Sequence, residues 1–213
     1  MGNLATVRQL QDRIAGMQDG VPRVPIASPP ALADLLQLRT GGAYEVDSAT
    51  LAYALLAPAS QAGAWSAVVG MDDFGAEAAA ELGVDLTRTV LVPDPGEHWL
   101  EATAALVDVV TLVVLRAPVA VTERTAGRIG ARLRKRSAAL IVHGRWPGSE
   151  ARLELASSVW AGVGRGHGRL AARRIEVAVT RGSAPARRAL IELGTAGPTR
   201  IDLAPAAPQV VTA

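Results

Sequence analysis

The chain has 213 residues, 49% of them hydrophobic, enough for one sizeable core with a short appendage rather than two full domains. Twenty-two basic against 20 acidic residues leave a formal charge of +2, so any nucleic-acid contact must come from a local patch. With zero Cys, disulfides, thiolate metal sites and cysteine nucleophiles are excluded, and three scattered His (His98, His143 and His167) with no His-x-x-x-His pair argue against a structural zinc site.

In chain order, Leu4, Val7, Leu10, Ile14 and Met17 recur every three to four residues between polar ones, which predicts an amphipathic helix closed by Gly20. Such a helix either packs on the core or serves as an arm for a partner, because a proline-rich linker, residues 21–30, follows it. It is not the apolar stretch of a signal peptide. Residues 31–38 read as a short helix, 43–46 as a strand, 49–62 as a helix and 65–69 as an apolar strand. A helix over 75–82 is stopped by Gly83, the usual residue past a helix end. A strand at 89–92 precedes a helix over 95–107, with Glu97 in its first turn. Strand 112–115, a basic helix over 122–136 and strand 138–142 complete an alternating series. Near-continuous apolar strands between helices predict an α/β fold, a mostly parallel sheet with helices on both faces.

The last third alternates like antiparallel strands, at 152–159, 173–181 and 189–193, with a Gly-rich loop at 164–169. An Ala/Pro tail, 204–213, reads as disordered. The expected division is therefore a helix and linker over 1–24, a core over 25–203 and the tail. The longest apolar run, 107–115, contains Asp108 and Thr111 and is too short to span a bilayer. The chain reads as soluble and cytoplasmic, with no membrane partner.

Arg124, Arg128, Arg132 and Arg136 stand at i, i+4 spacing and form one ridge of the basic helix. Either carboxylates elsewhere in the fold balance it, or it meets phosphates or an acidic partner. Arg165 and Arg169 in the Gly-rich loop are candidates for the same role. No aromatic residues are interleaved with these charges, which argues against tight single-strand binding. Trp65 and Trp160, flanked by apolar strand residues, read as core. Trp99 and Trp146 look harder to bury, which makes Trp99 a candidate interface residue. No Gly-x-Ser-x-Gly elbow accompanies Ser149 or His143, so hydrolase chemistry has no support.

The only lysine, Lys135, stands among arginines far from any Gly-rich turn, and no Gly-x-x-x-x-Gly-Lys exists. Yet the series Leu82-Gly83-Val84-Asp85-Leu86, then Val92-Pro93-Asp94-Pro95-Gly96-Glu97 and Ala105-Leu106-Val107 resembles the RecA recombinase core. Gly42-Ala43-Tyr44-Glu45-Val46 resembles the strand entering that family's phosphate loop, and Ala139-Leu140-Ile141-Val142 a later core strand. Ser157-Ser158-Val159 and Ile175-Glu176-Val177 resemble its closing strands, so the likeness spans about residues 25 to 195. The departures fall on the chemistry. Asp47-Ser48-Ala49-Thr50 stands where the phosphate loop belongs, Met71 beside Asp72 and Asp73 where the water-activating glutamate belongs, and Leu115-Arg116 where the Mg²⁺ carboxylate belongs. The segments matching the DNA-binding loops are cut short, at 118–123 and 147–150.

A RecA-like core of this size without its phosphate loop resembles the ImuA-type accessory proteins of the bacterial DNA-damage mutasome, actinobacterial branch. That resemblance implies a degenerate nucleotide site, no cofactor, no catalysis, and an adaptor role in error-prone translesion synthesis. Its implied partners are an ImuB-type inactive Y-family polymerase relative and, indirectly, an error-prone C-family polymerase and the sliding clamp, with weak DNA contact at most. The resemblance further suggests a docking surface at 85–108, with Asp85, Leu91, Trp99, Glu101 and Asp108 as candidates. The alternatives are a SulA-like cell-division inhibitor or a stand-alone DNA-binding protein.

Overall fold

The structure is a computed structural model and describes residues 22–164, 167–194 and 197–201. Among the described residues nine strands form one sheet in the order β3-β2-β4-β5-β1-β6-β7-β8-β9. In chain order they are β1 (Ala43–Val46), β2 (Ser66–Val69), β3 (Thr89–Val92), β4 (Leu112–Leu115), β5 (Ala139–His143), β6 (Ala151–Gly164), β7 (His167–Thr180), β8 (Arg187–Gly194) and β9 (Gly197–Ile201). The pairings from β3 to β6 are parallel and those from β6 to β9 antiparallel. The fold is therefore the α/β class expected, with antiparallel strands at the C-terminal end.

Four α-helices supply the crossovers: α1 (Ala49–Gln61), α2 (Ala76–Glu81), α3 (Trp99–Val107) and α4 (Glu123–Arg136). The chain moves from β1 through β2 to β3 in one direction across the sheet, then back through β4 to β5. Right-handed crossovers must put outward and returning helices on opposite faces. They do: α1 and α2 pack with Tyr44, Val68, Leu112, Val114 and Ile141 on one face. On the other, α3 and α4 pack with Ala67, Val69, Val113, Leu115 and Leu140. Local chemistry sets the helix starts. Ser48 Oγ accepts from Leu51 N at 3.3 Å to begin α1, and Thr122 Oγ1 accepts from Thr125 N at 3.2 Å to begin α4.

The antiparallel strands bury chiefly one face, the small Ala178 apart. Ile175, Val177, Val179, Ala189 and Ile191 join the α1 side of the core, beneath residues 26–38. Their opposite side carries cross-strand ion pairs, Arg174 to Glu192 at 3.0 Å and Arg188 to Glu176 at 3.2 Å.

Three expectations change. Residues 31–38 form a 3-10 turn, Pro30–Leu32, followed by irregular chain, because Pro29 and Pro30 start the segment and Ile26 pairs its N–H with Leu38 O instead. Strands β6 and β7 run to Gly164 and from His167, so the expected Gly-rich loop is mostly strand. Strand β9 was not anticipated: it opens Gly197-Pro198, and Pro198 lies on the outer strand of the sheet, where a missing N–H costs no ladder bond. The expected helix over 4–17 and the tail lie outside the described residues. No described helix is long and apolar enough to cross a membrane.

Candidate functional site

In open α/β sheets ligands gather outside the carboxyl ends of strands where the chain switches direction. Here β2 leads to α2 on one face while its neighbour β4 leads to α4 on the other, so that point lies between Val69 and Leu115. Gly70 makes the turn with φ +73°, and a Cβ there would run into the Arg116 carbonyl. Arg116 follows β4 directly, and its Nη1 donates to Asp73 Oδ1 at 2.6 Å with Asp72 Oδ1 at 3.8 Å. Its Nε and Nη2 reach His143 Nδ1 at 3.1 and 2.9 Å.

A guanidinium has only donors, so His143 Nδ1 must be the unprotonated nitrogen and Nε2 carries the hydrogen. Nε2 faces the Asp47 carbonyl at 3.3 Å, which accepts it. Burial first, and the Arg116 charge second, hold the His143 pKa below its ordinary value. The Arg116 hydrogen bond holds Asp73 below the usual carboxylate range. Asp47 in turn accepts from Leu155 N at 3.0 and 3.1 Å, tying β1 to β6.

Only Asp47 and Ser48 separate β1 from α1, and the Ser48 hydroxyl occupies the Leu51 N–H that a bound anion would otherwise use. Beside that helix start, Arg173 Nη1 donates to Thr50 Oγ1 at 3.0 Å, and its guanidinium lies 5.3 Å from the Trp160 ring. The edge is thus a closed network in which each cation already has an acceptor. Among the described residues no group of three His, Asp or Glu is placed to hold a metal ion.

The other candidates lie elsewhere. Asp108 accepts from Arg132 Nε at 2.7 Å and from Arg136 Nε at 3.1 Å, and these cations lower its pKa to about 2. Half of the arginine ridge is therefore balanced inside the fold, and Asp108 is a partner to that ridge rather than a lone rim charge. Arg124 and Arg128 are exposed and make no ion pair among the described residues. Arg165 lies outside the described residues, and Arg169 falls on β7 with its side chain undescribed. Asp85 caps the turn Leu86–Arg88 by accepting from Thr87 N at 2.9 Å.

The tryptophans reverse their expected roles. Trp99 is buried at 8% exposure and Trp146 at 3%, while Trp65 is 50% and Trp160 57% exposed. Trp99, Thr103 and Val107 form the inward stripe of α3, a spacing of four that could have been read. Trp65 sits one residue before β2, outside the pleat. At Trp160 a bulge between Leu155 and Ser157 shifts the strand's phase and pairs Trp160 with Arg173, on the same face as Ile175, but there it is 57% exposed and meets the Arg173 guanidinium rather than the core. Leu91 is 41% exposed on β3, the edge strand, and Glu101 is exposed on α3. The Arg116–His143–Asp73 network was missed as a unit because its members come from different strand ends, and only Arg116 directly after an apolar strand hinted at it.

Residues 31–148, more than half of the chain, match the MT3502 N-terminal domain family, and the chain belongs to it. A relative in Mycobacterium tuberculosis, the uncharacterized protein Rv3395c, is 35% identical over 137 residues, 63% of this chain. The match spans 63% of that relative's length.

Proposed function

We propose that this protein is a non-catalytic RecA-like adaptor of the DNA-damage mutasome, of the ImuA type, acting in the cytoplasm during error-prone translesion synthesis. The observation that carries the reading is the passage of β1 into α1 through Asp47 and Ser48 alone. A phosphate loop needs a Gly-rich turn of free N–H groups and a lysine, and this connection supplies neither. Arg116 supports the same reading, because a cation bound to Asp73 and His143 stands where a RecA-like ATPase holds its Mg²⁺ carboxylate. A mycobacterial relative accords with the actinobacterial branch.

In this role the protein meets an ImuB-type polymerase relative and, through it, the C-family polymerase and the clamp. The docking surface is the free edge at β3, where Val90 and Leu91 are exposed, together with the exposed Glu101 on α3 and with Trp65, Leu86 and Val109 exposed at the amino-end side of their strands. A strand or helix of the partner added there would be held by apolar burial and by Glu101 at the rim. A fluorescent ATP analogue with Mg²⁺ should give no saturable signal at high protein concentration; micromolar binding would falsify the pseudo-ATPase reading. Leu91→Asp should abolish capture of the ImuB-type partner while leaving the unfolding midpoint nearly unchanged. Capture of the tubulin-like division protein instead would favour the SulA-like alternative.

A DNA-binding reading has one observation in its favour, the exposed Arg124, Arg128 and Lys135 on α4. It requires a salt-sensitive gel shift that disappears when Arg124 and Arg128 become Ala.

A further inference from the structure

The face of the sheet that carries α3 and α4 is incompletely covered. Over β1 a groove of about 470 Å³ lies between α4 and the loop after β5. Ala43, Ala126, Gly130, Leu133 and Trp146 form its floor, and Glu123, Arg134 and Glu150 stand at its ends. Parallel strands are normally covered on both faces, so this is where the layer lacks a helix. Two residues on from Ala43, the buried Glu45 carboxylate accepts through Oε1 from Trp146 N at 2.8 Å and Ser149 Oγ at 3.0 Å, and Arg145 and Arg152 stand 3.6 and 4.0 Å from its Oε2.

The described chain begins at this groove. Arg23 bonds Glu150, which lines it, and donates through Nε to Thr40 O at 3.0 Å beside Gly41, which also lines it. Twenty-one residues precede Pro22, and they contain the amphipathic pattern Leu4, Val7, Leu10, Ile14 and Met17. As a helix, residues 4–17 would measure roughly 21 Å at about 1.5 Å per residue. The wall of α4 from Glu123 to Arg134 is roughly 17 Å by the same rise. From Met17 to Pro22 the chain reaches at most about 17 Å. We propose that residues 4–17 dock in this groove of their own chain as the missing helix, parallel to α4, with Met17 near Arg134 and Leu4 near Glu123. That direction puts the helix's positive N-terminal end at a carboxylate and its negative end at a guanidinium, and sets it antiparallel to the strands as α3 and α4 are.

Gly127 supplies the test. It is exposed beside the groove on α4, and a Cβ there meets nothing within 4 Å, so Gly127→Leu leaves the described core undisturbed but fills the space the helix needs. In the full chain, amides of residues 4–17 should exchange hydrogen at least tenfold more slowly than in an unstructured peptide. Gly127→Leu should abolish that protection while β4 and β5 keep theirs; Leu10→Asp should do the same without touching the groove. The chain has no native Cys, so Leu10→Cys with Gly127→Cys should give an intrachain cross-link, and Met17→Cys with Gly127→Cys, about 10 Å out of register, much less. Peptide-like exchange in the wild-type chain, or protection indifferent to Gly127→Leu, overturns the proposal. A cross-link formed only between chains overturns it in favour of an arm exchanged with a second copy, and protection gained only on adding the ImuB-type protein overturns it in favour of a partner-docking arm.

Discussion

Two halves of one sheet meet water differently. On β2, β4 and β5 every residue from Ala67 to Val69, from Leu112 to Leu115 and from Ala139 to Val142 is at most 1% exposed. On β7 the inward Ile175 and Val177 are as deeply buried, but Arg174 and Glu176 beside them carry ion pairs in solvent. The difference follows from connection. A parallel pair needs a crossover, and crossovers in both directions place helices on both faces, whereas hairpins leave the second face bare. The polar network of the candidate site lies at the carboxyl edge of the doubly covered half, where the burial that perturbs His143 is available.

The sharpest way to break the comparison is at that edge. Gly70→Ala combines a left-handed φ with a collision against the Arg116 backbone, neither of which a neighbouring rotamer can relieve. A loss of about 4 kcal/mol or more in urea unfolding is expected. A loss under 1 kcal/mol would mean that this turn is not as tight as described.

Next come the tryptophans, where sequence and structure disagree. Trp99→Ala should cost about 3–5 kcal/mol, because it empties the contact between α3 and the sheet. Trp65→Ala, at the exposed amino edge, should cost under about 1 kcal/mol. Equal losses, or the reverse order, would return Trp99 to the surface. A docking test that changes Trp99 would therefore confuse unfolding with lost binding, and Leu91 is the cleaner position.

A smaller effect should appear in the pH dependence. His143 is held neutral in the folded protein, so the unfolded chain takes up more protons as pH falls below the ordinary histidine value of about 6.5. Stability is then full above that pH and declines as pH falls toward the lowered folded value. His143→Gln, with an oxygen able to accept from Arg116, should flatten the change in melting temperature between about pH 7.5 and 5. An unchanged slope would assign it to other groups.

The least change is expected on the bare face of the antiparallel half. Glu176→Ala removes a solvent-exposed pair with Arg188 and should shift the urea unfolding free energy by no more than about 0.5 kcal/mol. A loss several times larger would show that this face is covered in the working protein.

Much of the local structure was legible in the chain itself. Strands at Ala43–Val46, Thr89–Val92 and Leu112–Leu115 have the expected bounds because each is a short, mostly apolar or β-branched run, with Glu45 the one charged residue inside, cut off by turn or charged residues. Helices α1 and α4 start within a residue of expectation because Ser48 and Thr122 cap their N-termini by short-range hydrogen bonds. The apolar-run against alternating-strand contrast foretold which strands would be parallel. These features depend on neighbours within a few residues, and sequence carries them directly.

What only the tertiary structure decided depends on groups distant in the chain. Arg116 finds Asp73 at a separation of 43 residues and His143 at 27, because the crossovers bring the ends of β2, β4 and β5 to one edge. Asp108 neutralises Arg132 and Arg136 because α3 and α4 lie side by side, which no i, i+4 pattern records. A single bulge in β6 moves Trp160 to the face of Ile175, since a one-residue slip exchanges the two sides of a strand, yet Trp160 stays exposed at that end of the strand. Composition can state that four tryptophans exist; which of them meets water is settled by helix phase, strand register and the layer laid over each face.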